Sequence, residues 1–221
     1  MKQFPVIFGG VFATFALSFI GLAMVPQLQI GNLQPFVDED AGDIYPINAG
    51  GQAAQGRKVY IAEGCVACHS QQVRDEQMGA DLARGWGDYK FPRRTVARDY
   101  IYDQPVLLGS MRTGPDLTNI GSRQSNPMWH YLHLYSPRYV TPGSIMPPFR
   151  FLFEKRKITG QRPDDALDLT GVEAPEAGYA IVPKPEAKAL VAYLLSLDHS
   201  HALKEAGEAE PAAAAQPATS K

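Results

Sequence analysis

Two cysteines are all that this chain of 221 residues contains, and they lie three positions apart. So few thiols exclude a disulfide-stapled scaffold, because a bridge between near neighbours closes too short a loop to stabilise much. They also leave a four-cysteine zinc site out of reach. No thioredoxin-like βαβ pattern surrounds the pair, which removes the usual setting of a redox dithiol. Charge is scarce where it might have been informative: residues 3–37 carry none, and the whole chain balances at a formal −2. That balance excludes the strongly basic surface of a nucleic-acid binder. Long regular elements are also expected to be few, since 18 prolines and 20 glycines punctuate the sequence.

The uncharged N-terminal stretch supplies the first positive reading. Residues 4–25 are apolar throughout and long enough to cross a bilayer as one helix. Lys2 precedes them, and Asp38, Glu39, Asp40 and Asp43 follow. The positive-inside rule therefore puts the N-terminus in the cytoplasm and the rest outside it. Gly9, Gly10, Gly21 and Ala23 leave smooth patches where a second membrane helix can approach. A cleaved signal peptide is the alternative, with Gly21-Leu22-Ala23 as its cleavage site. Such signals have apolar cores of only about 7–15 residues, so residues 1–25 read as an uncleaved anchor. Residues 26–49, with three prolines and several acids, read as an extended linker. A folded domain is expected over 50–201, and a disordered Ala/Pro-rich tail over 202–221.

The chemistry concentrates at Cys65-Val66-Ala67-Cys68-His69. Two thiols followed at once by an imidazole form the attachment pattern of a c-type haem. The thiols add to the two vinyl groups, and His69 supplies the proximal axial ligand to iron. A zinc set completed by His130 and His133 is the competing metal reading, and it leaves His69 without a role. Haem attachment to cysteine belongs outside the cytoplasm, which agrees with the orientation of the anchor.

Two helices are expected to frame this motif. Residues 52–63 end at Gly64, with Gly56, Val59 and Tyr60 on one face. Residues 184–197 carry Leu190, Val191, Tyr193, Leu194 and Leu197 as a broad apolar stripe. Their placement resembles the first and last helices of class I cytochromes c, in which a glycine and an aromatic mark the helix crossing. The fold class expected is mainly α: one N-terminal transmembrane helix plus a class I cytochrome c-like domain with a long loop insertion at 70–112. Available distal ligands are Met78, Met111, Met128, Met146, His130, His133, His199 and His201. The class I resemblance favours Met146, which precedes a proline ahead of the final helix, with His130 as runner-up. It also implies that Pro115, in Gly114-Pro115-Asp116-Leu117, offers its carbonyl to the proximal histidine.

The insertion is rich in aromatics and arginine: Arg74, Arg84, Arg93, Arg94 and Arg98, then Arg112 at its end. Most should be solvated, but Arg112 is a candidate for a haem propionate, since guanidinium matches carboxylate geometry. Cys65-xx-Cys68-His69-Ser70-Gln71, the Asp99–Pro105 run, Gly109-Ser110-xx-Thr113-Gly114-Pro115-Asp116-Leu117, Trp129-His130-xx-His133 and Ser144-xx-Met146-Pro147 occur in this order. Over roughly residues 1–155 the set resembles subunit II, the membrane-anchored mono-haem cytochrome c (subunit O), of the cbb3-type (C-family) haem–copper oxidases. Trp129, His130, His133 and Tyr135 then either face the haem or a partner, or are simply buried aromatics. Residues 150–162 read as a basic surface turn and 164–183 as an acidic surface loop.

The resemblance implies an electron-transfer subunit with one covalent haem c and no bond-making site of its own, serving a terminal oxidase that reduces oxygen to water. It implies a haem–copper catalytic subunit as partner, and a further cytochrome c subunit or a soluble cytochrome c as donor. The location implied is the inner membrane, single-pass, with the haem domain on the periplasmic side. Two rivals carry the same haem motif: the cytochrome c subunit of a nitric oxide reductase-like complex, and a haem-containing structural or sensor subunit with an open sixth position.

Overall fold

The computed structural model describes residues 3–38, 42–88 and 90–207 and divides into two compact units. One unit comprises the N-terminal stretch to Ile47 together with Val96–Asp103; the other comprises Asn48–Thr95 and the chain from Gln104 onward.

The first unit is dominated by helix α1, Phe4–Ile30, which is long and apolar enough to cross a membrane. None of its side chains is buried, as expected of a helix that is apolar on all sides and meets lipid rather than a protein core. The helix runs five residues past the expected boundary at residue 25, straight through Pro26. A proline inside a helix lacks an N–H and crowds the carbonyl one turn back. Here the turn before it, Ile20–Met24, is π-helical, with the Val25 N–H reaching Ile20 O. The wider turn lets the helix pass the proline without ending. The expected extended linker is also corrected beyond residue 35. Phe36–Asp38 (β1) pairs antiparallel with Asp43–Tyr45 (β2). The Val96–Asp103 segment joins this hairpin through the buried Tyr45 hydroxyl, which donates to Asp99 Oδ1 at 2.6 Å, and through Arg98 donating to the Gln34 carbonyl. Part of the predicted insertion therefore belongs with the membrane-proximal unit.

The second unit is built on the crossing of α2, Gly51–Ala62, with the last helix. α2 stops just ahead of Gly64, as its sequence predicts. Next come α3 (Pro127–Tyr135), the antiparallel strands β3 (Phe153–Lys157) and β4 (Tyr179–Pro183), and α4 (Pro185–Ser196). A Cβ at Gly56 would collide with the Ala189 carbonyl and lie 2.8 Å from Tyr193 Cβ, so only glycine permits this approach. Tyr60 and Tyr193 meet edge-to-face at 5.4 Å beside the crossing. Leu190, Val191, Tyr193, Leu194 and Leu197 all reach the core, where burying a leucine is worth about 1.5–3 kcal/mol.

Residues 150–162 and 164–183 are not the surface turn and loop expected from their charge. Each contributes a strand, and Leu167, Ile181 and Val182 are buried. Four exposed charged residues in β3 disguise a segment whose partner strand is core. The packed chain also continues past residue 201: Leu203 is buried, and Lys204–Ala206 forms a 3₁₀ turn whose Glu205 carbonyl receives Arg94. The rest of the expected tail, 208–221, lies outside the described residues. Replacing Gly56 with alanine should cost about 1–3 kcal/mol by forcing α2 and α4 apart, seen as a lower unfolding midpoint in urea.

Candidate functional site

Cys65, Cys68 and His69 follow α2 directly, Cys65 opening a 3₁₀ turn that closes with the Cys68 N–H on Cys65 O at 3.1 Å. This turn is laced to the chain some forty residues on. Ser110 N donates to Val66 O at 3.1 Å, Gly114 N to Cys68 O at 2.9 Å, and Leu117 N to Ser70 O at 2.8 Å. Within that lacing the Nδ1 of His69 lies 2.8 Å from the carbonyl oxygen of Pro115. A carbonyl only accepts, so Nδ1 carries the proton and Nε2 keeps the lone pair that a metal takes. Burial pushes the imidazole below its ordinary value, against the opposing pull of the Pro115 carbonyl and of Asp116. A neutral ring is the form that ligates.

A cavity of about 470 Å³ opens against this turn, within the roughly 300–1,000 Å³ usual for a bound small molecule or cofactor. Cys65, Cys68 and His69 form one side. Leu117, Ile120, Leu134, Phe149, Leu190 and Leu194 supply apolar wall, and Met146 contributes from the loop before β3. Gly114 sits flush against the His69 ring, where any Cβ would overlap the imidazole. Burial pushes the Cys65 thiol up to about 11. Redox dithiols have depressed values, so this thiol is not tuned for disulfide exchange.

Of the expected distal ligands, Met146 is half-buried at the cavity. Met78 and Met111 are exposed, and Met128 packs against the core away from the cavity lining. His130 reaches the cavity but commits Nε2 to the Gln124 carbonyl at 2.7 Å. His133 also lines it, stacked on Trp129 with ring centroids 4.7 Å apart. His199 and His201 do not line it; their backbone carbonyls receive Arg93. Among the described residues no three His, Cys, Asp or Glu side chains are grouped to hold a metal ion, so the four-residue zinc set is not assembled.

Arg112, the candidate for a haem propionate, has carboxylate partners within the protein. It is absent from the cavity wall; its guanidinium pairs with buried Asp81 at 2.7 Å and approaches Asp116 at 4.0 Å. Two unexposed carboxylates therefore share this cation. Asp81 lies in no sequence motif, and Asp116 stands in Gly114-Pro115-Asp116-Leu117 with no role of its own. Nothing in periodicity distinguishes a buried aspartate from a solvated one. Of the apolar wall, the sequence marks Leu190 and Leu194 as part of a stripe, while their convergence with Leu134 depends on α3 and α4 meeting.

A family model described as cytochrome c oxidase, mono-haem subunit/FixO matches residues 10–177. The chain belongs to the FixO family. The match runs beyond residue 155, where the sequence resemblance stopped, and takes in much of the segment between β3 and β4. No curated protein matches the chain. FixO membership makes this chain a mono-haem subunit of a cytochrome c oxidase, associated with other subunits of that oxidase, and the cavity beside Cys65 and His69 fits one haem in volume, apolar lining and donor set.

Burial holds the His133 imidazole at about 4, with His69 and His130 adding to the depression. The unfolded chain takes up this proton near the ordinary 6.5, so the folded state loses stability as pH falls from 6.5 toward 4. Replacing His133 with glutamine should flatten that limb of the stability–pH curve, measured by urea unfolding at stepped pH.

Proposed function

We propose that this FixO chain carries its haem covalently, through thioethers at Cys65 and Cys68, with His69 as proximal and Met146 as distal iron ligand. The observation that carries the proposal is the His69–Pro115 hydrogen bond at the wall of a cavity that Met146 also lines. A haem bound there would supply a one-electron ferric/ferrous couple. The chain's own contribution is positional. Pro115 orients the imidazole and strengthens it as a donor. Pro147 stiffens the backbone beside the Met146 thioether. Leu117, Ile120, Leu134 and Leu194 keep water from the site, and low polarity raises the cost of a change in charge.

The role proposed is an electron relay. The donor is a further cytochrome c subunit or a soluble cytochrome c, and the acceptor is the haem–copper catalytic subunit of a cbb3-type oxidase that reduces oxygen to water. The anchor α1 holds the haem unit at the membrane, and the balance of charge around it supports a periplasmic location.

Met146→Leu should leave haem attached while abolishing the thioether-to-iron charge-transfer band and lowering the midpoint potential. Alanine at both Cys65 and Cys68 should remove haem from the denatured polypeptide on a peroxidase-stained gel. An unchanged band in the Met146 variant would identify another distal ligand. A co-purified complex that reduces nitric oxide and consumes no oxygen would overturn the oxidase relay.

A further inference from the structure

Asp116 has no exposed surface, yet no function assigned so far uses its side chain. Its carboxylate joins the two segments that meet at His69. Oδ2 accepts the Ser70 hydroxyl at 2.6 Å and the Gln72 N–H at 2.8 Å; Oδ1 accepts the Thr118 N–H at 2.8 Å. Ser70 directly follows His69, and Asp116 directly follows Pro115, so the carboxylate closes a short ring around the His69–Pro115 hydrogen bond. Arg123 donates to the backbone carbonyl of Asp116, and Arg112 flanks the carboxylate at 4.0 Å. A buried carboxylate costs several kcal/mol to desolvate, and an apolar residue here would leave the Ser70, Gln72 and Thr118 donors without their acceptor.

Resting on the haem reading above, we propose that Asp116 is a positioning residue for His69, holding the Pro115 carbonyl against the imidazole and biasing a haem bound there toward the ferric state. Two effects act in the same direction. The Ser70 and Thr118 bonds restrain the chain just after the donor histidine and just after the acceptor carbonyl, and a well-held acceptor makes the imidazole a stronger donor. The negative carboxylate also acts on the ring through space, in the sense that favours positive charge there. Both stabilise the oxidised, more positive iron. Asp81 supports the arrangement from behind, pairing with Arg74 at 2.9 Å and with Arg112 at 2.7 Å. The flanking guanidinium is thereby directed at Asp116 instead of at the cavity.

The test compares the full haem-loaded chain with Asp116→Asn, Ser70→Ala and Tyr139→Phe in redox titrations, with thermal unfolding measured alongside. Asp116→Asn keeps the shape, removes the charge and turns one acceptor into a donor. It should raise the ferrous-to-ferric ratio about tenfold at fixed ambient potential, a shift of about 59 mV for a one-electron couple. Ser70→Ala keeps the charge and releases only the restraint, and should move the ratio the same way by about threefold. Tyr139→Phe removes hydrogen bonds to Asp168 and Thr170 away from the cavity, and should lower the unfolding temperature without moving the ratio. If Asp116→Asn fails to load haem, Ser70→Ala alone decides. Ratios within 1.5-fold of the parent in the loaded variants, with lowered unfolding temperatures, would reduce Asp116 to a structural residue. A parent chain without covalent haem would instead overturn the haem reading itself, and the inference with it.

Discussion

The hydrogen bond between the His69 imidazole and the Pro115 carbonyl is the contact on which the second unit depends. It joins residues 46 positions apart, and closing so long a loop carries an entropic cost that one bond does not offset. The backbone bonds from Val66, Cys68 and Ser70 to the 110–117 segment, and the carboxylate of Asp116, spread that cost over a short ladder. With the ladder in place the imidazole has one orientation and one tautomer. The cavity wall follows from it, because Leu117 and Ile120 continue directly from the laced segment.

The helix crossing answers a second constraint. A cofactor that fills several hundred Å³ removes volume that side chains would otherwise occupy in a small domain. The remaining core must therefore be tight. Gly56 brings α2 and α4 into backbone contact, and Tyr60 and Tyr193 close the angle beside them. Tyr193 also donates to Gln71 Oε1 at 3.0 Å, which ties the last helix to the chain just after the haem motif. Rigid surroundings suit electron transfer, since little structural rearrangement then accompanies a change in charge.

The arginines of the insertion find uses that differ from those their composition suggests. Arg74 and Arg112 neutralise Asp81, while Arg93 and Arg94 hold the C-terminal segment through backbone carbonyls at His199, His201 and Glu205. A segment with almost no regular structure is thus held by guanidinium groups in place of a backbone ladder. Its Val96–Asp103 portion serves the membrane-proximal unit instead, through Asp99 and Tyr45.

Local chemistry was legible in the residues alone wherever function needs a fixed spacing. Cys65, Cys68 and His69 form one contiguous motif, a membrane helix must be long and uncharged, and a glycine must stand where two helices touch. Gly56 was readable for that last reason, and the class I resemblance pointed to the Pro115 carbonyl that meets His69. The partners of Arg112, the burial of Asp81 and Asp116, and the strands hidden at 153–157 and 179–183 were decided by tertiary structure. Each depends on which distant segment lies opposite. Arg112 meets Asp81 from 31 positions away, and β3 is recognised as a strand only once β4 pairs with its edge.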